Sequence, residues 1–285
     1  MRVVFSLVDV FTPRPFAGNQ LCVVPRSPAD LTAEQMQMLA REIGFSETTY
    51  VTAVRDDGYD VRIFTPVSEL PFAGHPTLGT AFTLAAIGMI PTEAIQTCTA
   101  GEIPVEVDLK AGAATMDQLP TEARKPVQDR DAVARAAGLE PEDLGDGPII
   151  AVSTGIWHVM VPVAGEEALR RASRHDAAVA RICAEADAES LYLFTIRGDG
   201  DVVARMFDRS AEIGEDPATG SAAGPLGAYL SEHRLAGMPG RCEISQGEQV
   251  GRPSFLRVET FSGADRWHVR VGGDVRIVGD GAFEL

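Results

Sequence analysis

The chain has 285 residues, of which 45% are hydrophobic and 23% are charged, and its formal net charge is −16. This composition is typical of a folded globular protein and unlike that of a disordered chain. The acidic balance disfavours nucleic acid, because no basic stripe is available to neutralise phosphates, and it also disfavours an anionic membrane surface. We therefore predict neither a nucleic-acid nor a membrane partner. The net negative charge does not exclude a small anionic substrate, since a few hydrogen-bond donors in a binding site outweigh the field of distant surface charges.

The N-terminal segment MRVVFSLVDVF lacks the long apolar core and the cleavage site of a signal peptide, and it alternates like a strand. No segment reaches the roughly 18 apolar residues of a membrane span. The four cysteines are widely spread and form no CxxC pair, which disfavours a zinc site or a disulfide framework. They are Cys22, Cys98, Cys183 and Cys242. We predict a cytoplasmic protein with no bound metal.

The first 24 residues have the pattern of a strand, a turn and a second strand. A helix is predicted over residues 31–43, where Thr32 is the N-cap, Gln35 closes a capping box and Gly44 ends the helix. The segments GFSETTYVTAV and YDVRIFTP follow as two strands joined by the turn residues DDG.

Two long segments contain no charged residue, namely residues 76–92 and 217–231. A helix that is apolar on all sides is a core helix when it is too short to span a bilayer. Strand-like segments precede both, and EIPVEVDL and FLRVETF follow them. The pattern predicts two halves, each with a sheet wrapped around one buried helix.

An internal repeat surrounds these two segments. Its members are Arg62, Phe64, Glu69, Gly74 and Leu78–Gly79 in the first copy, and Arg205, Phe207, Glu212, Gly220 and Leu226–Gly227 in the second. Phenylalanine and glutamate are five residues apart in both copies, whereas phenylalanine and glycine are ten apart in the first and thirteen in the second. A duplicated unit with a three-residue insertion fits this spacing.

The domain boundary is predicted in a polar, proline-rich crossover over about residues 120–146, with a short helix after it. The halves are then residues 1–119 and 120–285, with the last strand free to cross back to the first half. An amphipathic helix is predicted over about residues 165–184 and carries much of the surface charge of the second half.

The starts of the two apolar helices are candidate binding sites. A helix N-terminus presents unpaired N–H groups and a positive dipole end, which suit a carboxylate, and glycine there allows a close approach. Two matched halves packed face to face would aim both starts at one cleft. His75, Ser221 and Asp216 are polar residues in these apolar surroundings. Each alone has an ordinary structural explanation as a core histidine, an N-cap or a turn residue, but together they favour function.

Glu47 is a further candidate, because it opens the strand ETTYVTAV, where a charged residue has weak β-propensity. A surface acid would be an equally simple explanation for it. Pro225 suits a second helix that begins near Gly224 better than one that begins at Ser221. Signatures of nucleotide, zinc and serine-hydrolase chemistry are missing, since the sequence has no GxGxxG after a strand, no GxxxxGK[ST], no HExxH and no GxSxG.

Five segments carry a family resemblance: FAGNQLCVV, GFSETTYV, PFAGHPTLGTA, GEDPATGSAAGPLGAYL and SQGEQVGRPS. In this order, from Val8 to the C-terminus, they resemble the PhzF family of phenazine-biosynthesis isomerases. The resemblance implies an α/β (α+β) fold shared with diaminopimelate epimerase and proline racemase. That fold has two pseudo-symmetric half-domains, each with a curled β-sheet around a central helix. The resemblance also implies a homodimer and no cofactor.

The same resemblance implies the roles of individual residues. Its catalytic residues fall on Glu47, His75 and Asp216, and its substrate-binding residues on Ser221, Gly74, Gly220 and Asn19. Diaminopimelate epimerase and proline racemase place a cysteine at each helix start, whereas the starts here are AGHP and TGSA. A two-thiol mechanism is therefore disfavoured, and carboxylate and imidazole must carry the chemistry.

The type reaction of the family isomerises trans-2,3-dihydro-3-hydroxyanthranilate by moving a proton between ring carbons. By this resemblance, Glu47 would take a proton from one carbon and return it to another. Three alternatives stay open. They are a racemase or epimerase of an amino or hydroxy acid that uses Glu47 and Asp216, a catalytically silent metabolite-binding protein, and a structural or interaction protein.

Overall fold

A computed structural model describes residues 1–263 and 266–285. The chain forms two compact units. The first comprises Met1–Asp117 and Gly272–Leu285, and the second comprises Gln118–Val271. No helix within the described ranges is long and apolar enough to cross a membrane.

The first unit contains eight strands and two helices among its described residues up to Asp117. The strands are β1 (Arg2–Val10), β2 (Asn19–Val24), β3 (Glu47–Arg55), β4 (Gly58–Phe64), β5 (Glu69–Leu70), β6 (Glu93–Cys98), β7 (Gly101–Asp108) and β8 (Ala113–Asp117), and the helices are α1 (Ala33–Ile43) and α2 (Gly74–Ala86). Strands β2 and β3 are parallel, as are β4 and β6, whereas β1–β2, β3–β4, β6–β7 and β7–β8 are antiparallel.

The second unit begins with β9 and contains four α-helices in the part of the chain that the structure describes. Its strands are β9 (Glu122–Pro126), β10 (Ile150–Ser153), β11 (Trp157–Pro162), β12 (Ser190–Ile196), β13 (Val202–Asp208), β14 (Glu215–Asp216), β15 (Arg241–Gln246) and β16 (Ser254–Ser262). Its helices are α3 (Arg130–Ala136), α4 (Glu166–Arg171), α5 (Asp176–Ala186) and α6 (Gly220–Glu232), with a 3-10 turn at Pro141–Asp143. The last strand, β17 (Trp267–Glu284), starts in this unit, and its later residues pair antiparallel with β1.

Helix α1 has the predicted caps. The Thr32 hydroxyl accepts from the Gln35 amide at 3.3 Å, and the Gln35 side chain accepts from the Thr32 amide at 3.0 Å, so the capping box is confirmed. Gly44 ends the helix in the left-handed conformation, with φ of 69°. The helix begins at Ala33, just after its cap.

Helices α2 and α6 are the two predicted core helices. Each has 13 residues, and every residue but the last is buried. Helix α2 packs against β1, β2, β7 and β8, and α6 packs against β10, β11 and β16. Both chargeless segments therefore form helices that are surrounded by the strands of their own unit.

The predicted start of the second core helix near Gly224 is wrong, because α6 begins at Gly220 and holds Pro225 in its interior. Proline disfavours a helical conformation of the preceding residue mainly through that residue's Cβ, which Gly224 lacks. A Cβ at Gly224 would also lie 1.7 Å from the Gln118 Oε1 atom. Glycine at this position removes both clashes.

The second copy of the repeat uses a different glutamate from the one predicted. Arg62 donates two hydrogen bonds to the Glu69 carboxylate, both at 2.7 Å. Arg205 donates in the same way to Glu215, at 2.8 and 2.7 Å, and not to Glu212. The predicted match of Glu69 with Glu212 is therefore wrong.

The strand register explains this difference. In the first unit Phe64 lies opposite Glu69, and in the second unit Phe207 lies opposite Glu215. Each glutamate precedes the first glycine of its core helix by five residues. The three-residue insertion thus lies between the phenylalanine and the glutamate. Pairing between strands, which the sequence spacing does not show, identifies the equivalent residue.

Two predictions for the second half also need correction. The polar segment after residue 120 contains β9, which pairs antiparallel with β10. The single helix predicted over residues 165–184 is divided into α4 and α5. The amide of Ser173 donates to the Ala137 carbonyl at 2.8 Å, and that of His175 donates to the Ala136 carbonyl at 3.1 Å. These bonds to the end of α3 replace helical bonds, so the helix stops between α4 and α5.

Candidate active site

Glu47 and His75 meet at the start of helix α2. Glu47 is the first residue of β3 and lies opposite Leu21 of β2, and His75 is the second residue of α2. The His75 Nε2 atom is 3.2 Å from Glu47 Oε2 and 3.2 Å from the carbonyl oxygen of Gln20. A carbonyl oxygen only accepts hydrogen bonds, so the hydrogen of the ring is on Nε2.

The His75 ring is neutral near pH 7. Its side chain is only 4% exposed, and burial lowers its pKa to about 3, although the Gln20 carbonyl acts in the opposite direction. The contact with Glu47 is therefore one between a neutral imidazole and a carboxyl group rather than an ion pair. The Nε2–H is directed to the Gln20 carbonyl, and the neutral ring lies against the Glu47 carboxylate without neutralising it.

Asn19 supports the same corner of the molecule. It is the first residue of β2 and is fully buried. Its Oδ1 atom accepts a hydrogen bond of 2.7 Å from the hydroxyl of Ser46, the residue that precedes Glu47. The contact ties the start of β2 to the turn that leads into Glu47.

The N-termini of α2 and α6 have a common feature. Within the described residues, no side chain caps either helix, although Ala73 and Thr219 stand at the N-cap positions. Helix geometry leaves the first amides without intrahelical partners, and these include the N–H groups of Gly74 and Gly220. Each N-terminus therefore presents backbone donors and a positive dipole end that suit a carboxylate.

Asp216 is held by a network of buried side chains in the second unit. Thr219 Oγ1 donates to Asp216 Oδ2 at 2.6 Å. Gln246 Nε2 donates to the Asp216 carbonyl at 2.8 Å and to Thr219 Oγ1 at 3.0 Å. Tyr192 in turn donates to Gln246 Oε1 at 2.9 Å. The network fixes the chain between β14 and α6.

Ser221, the second residue of α6, ends a chain of three buried side chains. Its hydroxyl is 3.1 Å from His158 Nε2, and the other ring nitrogen, Nδ1, is 2.8 Å from the Ser190 hydroxyl. Sequence reasoning missed His158, Ser190 and Gln246. One signal was available, since His158 is a lone polar residue in the apolar strand WHVMVP.

Thiol groups are poorly suited to catalysis in this fold. Burial raises the pKa of Cys22, Cys183 and Cys242 to about 12, so these thiols stay protonated at neutral pH. In the part of the chain that the structure describes, no group of three or more histidine, cysteine or acidic side chains is placed to hold a metal ion.

Acidification is expected to destabilise the fold through His75 and His158. Burial lowers the pKa of each to about 3 from an ordinary 6.5, so the unfolded chain takes up these protons first. The contribution of the two neutral histidines to the free energy of unfolding is complete above pH 6.5 and is lost as the pH falls toward 3. At pH 5 each histidine lowers the free energy of unfolding by about 2 kcal/mol. Asp208 offsets about 1 kcal/mol of this loss at pH 5. Burial raises its pKa to about 6, so the folded chain binds this proton more tightly than the unfolded chain does.

Urea unfolding at pH 7 and pH 5 measures this loss. His158→Gln should remove about half of the histidine contribution to the pH dependence. His175→Gln, at an exposed position before α5, is the matched control for the substitution itself. A His158→Gln protein with the pH dependence of the wild type would contradict the assignment.

Known proteins share this sequence and fold. The chain matches the family of phenazine biosynthesis-like proteins over residues 8–281. It is 35% identical to a trans-2,3-dihydro-3-hydroxyanthranilate isomerase of Pseudomonas chlororaphis, over 99% of both chains. A PhzF-family phenazine biosynthesis protein of Bacillus anthracis has the same fold, with a TM-score of 0.89, 24% identity and full coverage of both chains. A probable proline racemase of Agrobacterium radiobacter also matches, with a TM-score of 0.66 and 12% identity over 99% of this chain and 93% of that one.

These findings define the chain as an isomerase with the mixed α/β fold that PhzF proteins share with proline racemase-like epimerases. It belongs to the PhzF family of phenazine biosynthesis-like proteins. The family predicted from the five sequence segments is thereby confirmed.

Proposed function

We propose that this isomerase moves a proton between two carbons of a small cyclic carboxylate, and that trans-2,3-dihydro-3-hydroxyanthranilate is a substrate. The Glu47–His75 contact carries the proposal, since it places a carboxylate beside a neutral imidazole at an uncapped helix N-terminus. Relatives that bear this activity in their names are 34–35% identical over most of the chain.

Glu47 is the base in this proposal. It takes the proton from the carbon that bears the hydroxyl, which leaves a carbanion conjugated with the ring double bonds, and it returns the proton to a second ring carbon, which gives an enol. The enol hydroxyl then loses its proton while a third ring carbon gains one, which gives the ketone. No atom or electron is gained or lost. His75, whose Nε2 lies 3.2 Å from Glu47 Oε2, packs against the base, and together with Asp216 it anchors polar substituents and relays protons.

The substrate carboxylate is assigned to Ser221 and to the backbone amides of Gly74 and Gly220. Support comes from the two helix N-termini, whose amides are not capped by side chains. Asn19, which holds the turn before Glu47, completes the proposed set of substrate-binding residues. The chemistry uses no cofactor in this proposal.

Incubation of the substrate in D2O, followed by NMR, tests the proposed reaction. Isomerisation gives the ketone, with hydrogen or deuterium at the second carbon. Deuterium at a stereocentre with unchanged bonding would instead indicate an epimerase, an alternative that the proline racemase-like fold and the second carboxylate, Asp216, favour. Binding without exchange or product would indicate a silent metabolite-binding protein.

We also propose a cytoplasmic homodimer without a nucleic-acid partner. Phe255 and Phe261 are exposed on the same face of β16, where a second copy could cover them, and the net charge of −16 opposes phosphate binding. Sedimentation equilibrium measures the mass, and a monomer at micromolar concentration would contradict the dimer. Cell fractionation tests the compartment.

A further inference from the structure

We propose that His158 and Ser190 are positioning residues that turn the hydroxyl hydrogen of Ser221 toward a bound carboxylate. The proposal rests on the proposed role of Ser221 in binding the substrate carboxylate. It assigns a purpose to two buried residues that the proton transfer itself does not use.

The three side chains form a continuous hydrogen-bonded chain inside the second unit. Ser190 Oγ lies 2.8 Å from His158 Nδ1, and His158 Nε2 lies 3.1 Å from Ser221 Oγ. Their exposed fractions are 0% for Ser190, 2% for His158 and 7% for Ser221. Strands β11 and β12 are parallel, with His158 opposite Ser190, and Ser221 stands in the first turn of α6.

The imidazole has one hydrogen to place between its two nitrogens. Burial lowers the pKa of His158 to about 3, so at neutral pH the ring donates from one nitrogen and accepts at the other. Two arrangements are possible. Either Nδ1–H donates to Ser190 and Ser221 donates to Nε2, or Ser190 donates to Nδ1 and Nε2–H donates to Ser221.

The Ser190 hydroxyl decides between the two arrangements. Within residues 1–263 and 266–285, its hydrogen-bond partner is His158 Nδ1. If Nδ1 carried the hydrogen, the Ser190 O–H would be buried without an acceptor, which is unfavourable. Donation from Ser190 to Nδ1 avoids this, and it places the ring hydrogen on Nε2. The hydroxyl hydrogen left without an acceptor among the described residues is then that of Ser221, which is 7% exposed at the N-terminus of α6, rather than that of Ser190, which is 0% exposed. The Nε2–H then donates to the Ser221 oxygen.

This direction determines what Ser221 can bind. Its oxygen accepts from His158, so its own hydrogen is free to donate to a carboxylate at the N-terminus of α6. If the hydrogen bonds ran in the opposite direction, the Ser221 hydroxyl would donate its hydrogen to His158 Nε2, and only its oxygen lone pairs would face an anion. The hydrogen bonds from Ser190 through His158 to Ser221 therefore leave the Ser221 hydroxyl as a hydrogen-bond donor to the bound anion.

The tautomer of His158 is the direct test and needs no ligand. The chain has five histidines, so long-range 15N–1H spectra of the 15N-histidine-labelled protein can be assigned with His158→Gln, which removes one set of signals. We expect the neutral Nε2–H tautomer at pH 7, and we expect Ser190→Ala to weaken that preference. A neutral Nδ1–H tautomer or an imidazolium in the wild type would overturn the proposal.

Binding of 3-hydroxyanthranilate, an aromatic analogue of the substrate named in the relatives, tests the coupling to Ser221. Calorimetry should show that Ser221→Ala and His158→Leu each raise Kd roughly tenfold. His158→Gln, which keeps a donor near the Nε2 position, should raise it much less. In the Ser221→Ala background, His158→Leu should have almost no further effect, because its action passes through Ser221.

If the two substitutions raised Kd by factors that multiply in the double variant, His158 would act independently of Ser221. That result would overturn the proposed positioning role. Failure of the wild type to bind the probe would instead count against the proposed carboxylate site. In that case the tautomer measurement still decides whether Ser190 and His158 direct the Ser221 hydrogen.

Discussion

Replacing Glu47 by glutamine should lower turnover of trans-2,3-dihydro-3-hydroxyanthranilate by roughly a hundred- to ten-thousandfold, the usual contribution of general acid–base catalysis. Glutamine has nearly the same shape as glutamate but cannot take up a proton. Its amide oxygen can occupy the position of the carboxylate oxygen that lies 3.2 Å from His75 Nε2 in the wild type. We therefore expect folding and binding of 3-hydroxyanthranilate to be largely preserved. Steady-state kinetics and calorimetry measure the two effects separately.

Glu93 is the matched control for this substitution. It is the first residue of β6, as Glu47 is the first residue of β3, but its side chain is exposed. Glu93→Gln should leave turnover unchanged. Near-normal turnover by the Glu47→Gln protein would show that another group is the base.

Arg205→Met should lower the free energy of unfolding by roughly 3–5 kcal/mol, the usual cost of removing one partner of a buried ion pair. The Arg205 side chain is 7% exposed and that of Glu215 is 14% exposed. Arg205 also donates to the carbonyl oxygens of Leu169 and Ala172, at 3.0 and 2.6 Å. The substitution leaves the Glu215 carboxylate buried without its cation, directly beside Asp216. Loss of activity is expected to accompany the loss of stability.

The repeat supplies a matched control for Arg205. Arg62 and Glu69 make the same two-pronged contact in the first unit, but their side chains are 34% and 36% exposed. Arg62→Met should therefore lower the free energy of unfolding by only about 1 kcal/mol or less. In both contacts the guanidinium also lies over a phenylalanine ring, at 5.1 Å in the first and 4.9 Å in the second. The two contacts therefore differ in their burial and in the carbonyl hydrogen bonds that Arg205 adds.

Urea unfolding followed by circular dichroism measures both variants. The fluorescence of Trp157 and Trp267, which both lie in the second unit, reports on the unfolding of that unit. Equal losses in the Arg62→Met and Arg205→Met proteins would show that neither burial nor the added carbonyl hydrogen bonds strengthen the second contact.

Much of the candidate site could be predicted from local sequence features. Thr32, Gln35 and Gly44 mark the ends of α1, because capping depends on residues only three or four positions apart. The chargeless segments were sufficient to identify α2 and α6 as core helices, since only a buried helix can be apolar on every side. The family motifs match the sequence at Glu47, His75, Asp216 and Ser221, and so identify these four residues individually. Their catalytic and binding roles are predictions.

The remaining features depend on contacts between residues far apart in the chain. Glu47 meets His75 because β2 and β3 are parallel neighbours beside the start of α2. Ser221 meets His158 across 63 residues, and Gln246 reaches Asp216 across 30, so no local spacing could show either contact.

The sequence by itself determined the family, the two buried helices and the identities of the polar residues at their N-termini, because these follow from motifs and from hydrophobic patterning. Only the tertiary structure decided which glutamate pairs with Arg205, where α4 and α5 separate, and how His158 connects Ser190 to Ser221. Strand register and long-range hydrogen bonds set these features. The five-residue spacing from Phe207 to Glu212 matched the first copy, yet the ladder between β13 and β14 selected Glu215.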